Sequence, residues 1–236
     1  MMRYQRQIPI LGEEGQRKLE NSKIAVIGSG GLGCNVITHL ASAGVKEFII
    51  ADGGSVEVSD LNRQFIYTDE DVKGKKTERA TEWVKRINPR AIIKAIDRSV
   101  DADNIDMIGE CDIIMDCLDN RSSRMILNRY AFDNGIKVVH GGVESMFGQV
   151  TVVVPRETPC LECILPNTGD KEIHSLSPMV GIIGATQAME AVKILTGTGS
   201  ALAGKLLTID AADNSYRVLD MKKRDDCGCC SSCSKF

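Results

Sequence analysis

The sequence of 236 residues predicts an α/β fold: a Rossmann-like, largely parallel sheet with helices on both faces, continued by antiparallel strands and a cysteine-rich tail. Three observations carry this expectation. Apolar runs bounded by turn residues alternate with segments of helical period, the pattern of successive βαβ units. A glycine-rich hexapeptide, Gly28-Ser29-Gly30-Gly31-Leu32-Gly33, falls between the first apolar run and the first helical segment. The composition, 43% apolar and 26% charged, is that of an ordinary globular chain long enough for a sizeable core.

Residues 23–28 are short and apolar enough to be a buried strand, and the period of residues 32–43 is helical. Residues 47–52 read as the second strand. After an irregular loop, residues 75–87 form a helix that carries the only tryptophan, Trp83. Asn88-Pro89 stops it, because proline disfavours helical backbone in the residue before it. A strand at 91–96, a short helix after Asp101 and a strand at 112–117 follow. The helix at 122–133 is closed by Asn134-Gly135, a pair suited to a left-handed cap. Strands at 137–140 and 149–154 end this stretch.

Beyond Pro155 the pattern changes. A loop with Cys160 and Cys163 leads through a polar segment to a long apolar helix at 178–195, where Gly181, Gly184 and Ala185 permit close packing. Strands at 205–210 and 216–221 predict an antiparallel hairpin around Asp213-Asn214. No repeat or flexible linker interrupts the chain, so a single domain over 1–236 is expected.

The formal charge of -3 is small and no basic block occurs, which argues against nucleic acid or an anionic membrane as partner. The opening MMRYQRQIPIL lacks the apolar run of a signal peptide, and nowhere do about 18 uncharged apolar residues follow one another. A cytoplasmic location is expected. Nine cysteines in such a chain point to metal binding or reactive thiols rather than disulfides. Cys34, Cys111 and Cys117 stand singly among apolar residues, whereas Cys160 with Cys163, and Cys227, Cys229, Cys230 and Cys233, are clustered.

The hexapeptide at 28–33, followed 19 residues later by Asp52 at the end of the next strand, is the dinucleotide-binding pattern in its proper context. Gly28, Gly30, Gly31 and Gly33 let backbone N–H groups approach phosphate, the helix N-terminus favours the anion, and the acid suits ribose hydroxyls. Ser59-Asp60-Leu61-Asn62-Arg63-Gln64, Lys76 and Asp116-Cys117-Leu118-Asp119-Asn120 narrow the choice. Arg63 and Lys76 could neutralise a triphosphate, and Asp119 could hold its magnesium. Taken singly, the two cations also read as surface charges and Asp119 as a helix N-cap.

Together, RYQRQ, GSGGLG, SDLNRQ, DCLDN, the TPC-LEC pair and the terminal cysteine cluster resemble the MoeB/ThiF/HesA family, related to the adenylation domain of ubiquitin-activating enzymes. The resemblance covers nearly the whole chain. It implies ATP-dependent adenylation of the C-terminal carboxylate of a ubiquitin-like β-grasp sulfur-carrier protein ending in Gly-Gly. Asp52 would meet the ribose, with Gly31, Ser59, Asp60 and Asn62 lining the nucleotide site. Arg63 and Lys76 would contact phosphates, Asp119 would bind magnesium or align the reactants, and Asn120 would lie beside it. Arg6 would reach the triphosphate of a neighbouring subunit, which implies a homodimer. The nucleotide-binding half would span about 1–135, and the carrier-binding and zinc half about 136–236.

The resemblance also gives the cysteine clusters a role. Cys160 and Cys163 would supply half of a structural zinc site, and the tail the other half. Cys227 with Cys230 is the pair that the family pattern favours, while Cys230 with Cys233 has the same spacing. Cys229 and Cys233 are then spare thiols or handlers of sulfur. Between Cys163 and Cys227 there is no cysteine, so no thioester is expected on the loop before the long helix, as in MoeB, and sulfur would come from a separate sulfurtransferase. An NAD-dependent oxidoreductase and a non-catalytic binder of a ubiquitin-like protein stay as alternatives. His39, His140 and His174 are scattered and none reads as a catalytic base.

Overall fold

The computed structural model of the protein describes residues 2–165, 167, 169–170 and 173–230. The apolar runs become the strands β1 (Lys23–Ile27), β2 (Glu47–Ala51), β3 (Ile92–Ile96), β4 (Ile113–Asp116), β5 (Lys137–Glu144), β6 (Phe147–Val153), β7 (Lys205–Asp210) and β8 (Ser215–Asp220). Among the described residues they form one sheet in the order β3-β2-β1-β4-β5-β6-β7-β8. The pairs from β3 to β5 are parallel, and β5 to β8 continue as antiparallel neighbours. The α/β expectation with its antiparallel extension is what forms.

Parallel strands need crossovers that cover both faces, which is why β1, β2 and β4 are buried almost throughout. The helices are α1 (Ile8–Asn21), α2 (Gly31–Ala43), α3 (Lys76–Ile87), α4 (Arg121–Asn134), the one-turn α5 (Leu161–Ile164) and α6 (Ser177–Thr196). One apolar cluster joins Leu40, Phe48, Ile50, Val150 and Ile183 on the face covered by α2, α3 and α6. Another joins Ile27, Ile114, Leu127, Phe132 and Cys160 on the face covered by α4.

The departures from the expected elements have local causes. Helix α1 was not anticipated, because it buries only Gly15, Gln16 and Leu19 and is interrupted at Gly12, whose φ of 73° and ψ of 166° are not helical. The pair Gly141-Gly142 looks like the end of a strand, yet β5 runs through it to a tight hairpin at Ser145 and Met146, with Ser145 at φ 59°. The loop with the first cysteine pair contains α5, a single helical turn. The β7–β8 hairpin forms with Asn214 at φ 59° and the Ser215 N–H donating to Asp213 Oδ1 at 2.9 Å.

Helix α6 is long and apolar enough to cross a membrane by composition, with mean hydropathy 1.2, but half of it is buried inside the protein. It crosses α2 closely at Gly184, where a Cβ would lie 2.5 Å from Asn35 Cβ and 3.1 Å from the Leu32 carbonyl oxygen. At Gly181 the nearest atom to such a Cβ is Asn35 Oδ1, 3.9 Å away. Gly184→Ala should therefore destabilise the protein by about 1–3 kcal/mol through overpacking. Gly181→Ala should stabilise it by roughly 0.5–1 kcal/mol, because alanine is the better helix former. Thermal unfolding reads both, at about 2–4 °C per kcal/mol for a chain of this size; shifts of the same sign would contradict this packing.

Candidate active site

The turn from β1 to α2 leaves little room for side chains. Gly28 has φ 92°, and a Cβ there would lie 2.6 Å from the Cys117 carbonyl oxygen. A Cβ on Gly33 would collide with the Gly28 carbonyl oxygen. Two groups then hold the loop from outside. Asp52, just past β2, accepts through Oδ2 from the Ser29 N–H at 2.7 Å and the Ser29 hydroxyl at 3.0 Å, and through Oδ1 from the Gly54 N–H at 2.8 Å. The buried Tyr67 donates its hydroxyl to the Ser29 carbonyl at 2.8 Å. What remains for a ligand is the first turn of α2, with N–H groups and a helix dipole that favour an anion.

Asp60 organises the cations. It ends the one-turn helix Val58–Asp60 and is 5% exposed. Lys76 Nζ lies 2.9 Å from its Oδ2 and Arg63 Nη2 lies 3.4 Å from its Oδ1. Gln64 Nε2 donates to Oδ1 at 2.6 Å and the Glu57 N–H to Oδ2 at 3.1 Å. Arg63 is fixed further by Nη1, which donates to the Ser59 carbonyl at 2.8 Å and to Asn62 Oδ1 at 3.1 Å. Tyr67 also reaches the Lys76 carbonyl at 3.3 Å, so it ties the first turn of α3 to the glycine loop. Ser59 and Asn62 are exposed beside these cations.

At the end of β4, the loop 117–120 brings Asp119 and Asn120 to the same edge of the sheet. The N-cap of α4 is Asn120, not Asp119: the Asn120 side chain accepts from the Ser123 N–H at 2.9 Å. Asp119 is exposed, and Asn120 Nδ2 donates to it at 3.4 Å. Asp170, from the polar segment, accepts from the Arg121 N–H and from the Ser122 hydroxyl at 2.8 Å. Asp170 therefore sits at the first turn of α4, which the loop bearing Asp119 leads into.

Sequence reasoning missed the buried network below this loop: Asp116 opens the DCLDN motif, but its partners Arg124, His140 and Gln149 are spread along the chain without one. Asp116 accepts from the Leu118 N–H at 3.2 Å and pairs with Arg124 Nε at 3.2 Å and His140 Nδ1 at 2.7 Å. Arg124 also donates to the Leu118 carbonyl, so the peptide groups on both sides of Leu118, the residue before Asp119, are pinned. His140 Nε2 lies 3.2 Å from Gln149 Nε2, which fits a neutral ring. Burial, then the Arg124 charge, push the His140 imidazole below its ordinary value, and its bond to Asp116 only partly offsets them. For Asp116, burial works against ionisation, but Arg124 and His140 together hold the carboxyl below its usual range. Burial also pushes the Cys34 and Cys117 thiols up, so neither is a ready nucleophile.

Arg6 is not brought to this site. Its neighbour Tyr4 is buried against Gly44, and Gln7 Nε2 donates to the Ala43 carbonyl at 2.6 Å, both at the C-terminal end of α2. A 13-residue helix is about 20 Å long, so Arg6 lies about that far from the glycine loop of its own chain.

The thiols of Cys160, Cys163, Cys227 and Cys230 converge, with all four Sγ atoms within 4.8 Å of one another. Cys160 to Cys227 is 3.5 Å and Cys163 to Cys230 is 3.3 Å. These distances exceed the roughly 2 Å of a disulfide and approach the roughly 3.8 Å edge of a tetrahedron with Zn–S arms of about 2.3 Å. The donor set thus fits zinc with no ligand position left open. Cys227 and Cys230 are the tail pair of this group; Cys233 lies outside the described residues.

The sequence matches the ThiF family over residues 4–230. It is 35% identical over 238 residues to the SAMP-activating enzyme E1 of Haloferax volcanii, covering 97% of this chain and 88% of that protein. It is 35% identical over 239 residues to the molybdopterin-synthase adenylyltransferase of Escherichia coli, covering 98% and 96% respectively. The crystal structure of Escherichia coli MccB with ATP superposes with a TM-score of 0.87 at 22% identity, over 97% of this chain and 74% of that one, a likeness of fold.

The His140 and Asp116 shifts both make acid destabilising. An unfolded His140 binds a proton below its ordinary value of 6.5 while the folded one does not, so stability is lost as pH falls from there. Asp116 adds a second loss below its ordinary value of 3.8. Between pH 7.5 and 5 the wild-type melting temperature should fall more than that of His140→Gln; equal falls would contradict the neutral buried imidazole.

Proposed function

Because the chain belongs to the ThiF family, we infer that it is an ATP-dependent adenylyltransferase that activates the C-terminal glycine carboxylate of a ubiquitin-like sulfur-carrier protein. The observation that carries the reading is the pair of cations held on Asp60 beside a glycine turn and an exposed Asp119. A dehydrogenase needs the glycine turn and Asp52, but has no use for two cations at that end of the sheet. A non-catalytic binder would not need to keep the whole set.

In this reading the backbone from Gly28 to Gly33 receives the phosphates, and Asp52 turns its remaining lone pairs to the ribose. Ser59 and Asn62 flank the nucleotide, while Asp60 acts beneath it by holding Arg63 and Lys76. A carboxylate oxygen of the carrier's terminal glycine attacks the α-phosphorus; the bond to the β-phosphate oxygen breaks, leaving an acyl adenylate and pyrophosphate. No nucleophile from the chain is required. Arg63 and Lys76 stabilise the charge that grows on pyrophosphate, and the loop 117–120 aligns the reacting groups. Magnesium, when bound, screens the triphosphate, and Asp119 with Asn120 beside it is the group placed to hold it.

The position of Arg6 supports a homodimer with shared sites. Too far from its own glycine turn, it is available to the triphosphate in the other subunit, and Arg6 of the partner subunit completes each site. Zinc fastens the tail to the body. With no cysteine between Cys163 and Cys227, the carrier leaves as its adenylate and a separate sulfurtransferase supplies sulfur. Eight described thiols without a disulfide suit the reducing cytoplasm. The chain acts as one adenylation domain, its first 135 residues handling nucleotide and the remainder carrier and zinc.

Pyrophosphate exchange with a Gly-Gly-ended carrier tests these roles. Asp119→Ala and Arg6→Ala should each abolish exchange with melting unchanged; near-normal exchange by Asp119→Ala would sink its assignment. Mixing the two inactive variants and reassembling them should restore about a quarter of wild-type activity, since half the dimers then hold one intact site. No recovery from dimers shown to have mixed would exclude a site shared between subunits.

A further inference from the structure

Asn128, in the middle of α4, is 3% exposed, and none of the roles above uses it. Its carboxamide is divided between the two halves of the thiol cage. Oδ1 accepts from the Leu161 N–H at 2.9 Å, at the start of the helical turn that follows Cys160 and contains Cys163. Nδ2 donates to Cys229 Sγ at 3.3 Å, between Cys227 and Cys230. The next residue, Arg129, donates through Nη1 to the Gly228 and Cys229 carbonyls at 3.2 and 3.4 Å.

We propose that Asn128 is the positioning residue of the zinc cage: it fixes the two cysteine pairs, 67 residues apart in sequence, at the separation the metal needs. The physical case has two parts. The Leu161 N–H opens a helix with no helical partner of its own in a fully buried place, so losing Oδ1 leaves a buried donor unpaired. Four thiolates around Zn2+ also carry excess negative charge, which N–H donors in the outer layer offset. The Arg224 N–H on Cys163 Sγ at 3.3 Å and the Cys230 N–H on Cys227 Sγ at 3.4 Å belong to that layer, and Asn128 serves it through Cys229. Cys229 lies outside the group of four converging thiols and hydrogen-bonds to Cys160, so it is a buried part of the cage wall and not an exposed carrier of sulfur.

The proposal depends on the metal fit and not on adenylation, so it is read by zinc release from the full-length, zinc-loaded protein into excess 4-(2-pyridylazo)resorcinol. Asn128→Ala should release zinc roughly 10- to 100-fold faster than wild type. Leu40→Ala, a fully buried truncation in the cluster on the opposite face of the sheet, should lower the melting temperature but leave release within about twofold. Asn128→Asp keeps an acceptor for Leu161 and loses the amide donor; it should release zinc faster than wild type but more slowly than the alanine variant. If Asn128→Ala does not fold, Asn128→Asp alone decides. Release at the wild-type rate from the variant that decides, or equal acceleration by Leu40→Ala, would overturn the proposal.

Discussion

The proposed adenylation asks two cations to stand close together at the glycine-turn end of the sheet, and the buried carboxylate of Asp60 is what holds them there. Unit charges about 4 Å apart interact by about 4 kcal/mol at an effective dielectric constant near 20, so Arg63 and Lys76 would swing apart toward solvent if nothing lay between them. Asp60 holds both, and its remaining lone pairs take Gln64 and the Glu57 N–H. Tyr67 then ties Lys76 to Ser29, and Asp52 grips the same serine from the other side. The groups proposed to meet phosphate are thus set in advance, which is how electrostatic stabilisation avoids reorganisation during reaction.

Helix α4 does for the opposite half of the site what Asp60 does for the cations. Its N-terminus adjoins the loop bearing Asp119, where Asp116 and Arg124 pin the Leu118 peptide groups. Its middle meets the thiol cage through Asn128 and Arg129. A cage with no open ligand position has no chemistry of its own to offer. It contributes a rigid attachment for the tail on the face where the short α5 buries little else.

Much of this was legible in the sequence where one local pattern fixes one structure. The glycine turn, Asp52 and the cysteine pairs are such cases, because backbone geometry or donor chemistry leaves few other residues able to serve, whereas Arg63 and Lys76 stood out from surface charges only in combination with them. The antiparallel extension could be read from turn residues, though Gly141-Gly142 concealed the length of β5. Other features depend on contacts between distant segments, which no short window contains. Gln149, His140, Asp116 and Arg124 meet only because β4, β5 and β6 are neighbours in the sheet. Helix α1 has too narrow an apolar face to show as a period, and the N-cap of α4 turned on whether Asn120 or the adjacent Asp119 faces the helix. The distance of Arg6 from its own glycine turn likewise appears only once Tyr4 and Gln7 are docked on the far end of α2.

The most direct test of the central claim is ATP–pyrophosphate exchange by the wild-type protein with magnesium and each Gly-Gly-ended β-grasp protein of the source organism, alongside the same proteins lacking their final glycine. The account predicts exchange with an intact carrier and none with its truncated form. Exchange that ignores the truncation, or turnover giving ADP and orthophosphate in place of AMP and pyrophosphate, would contradict it.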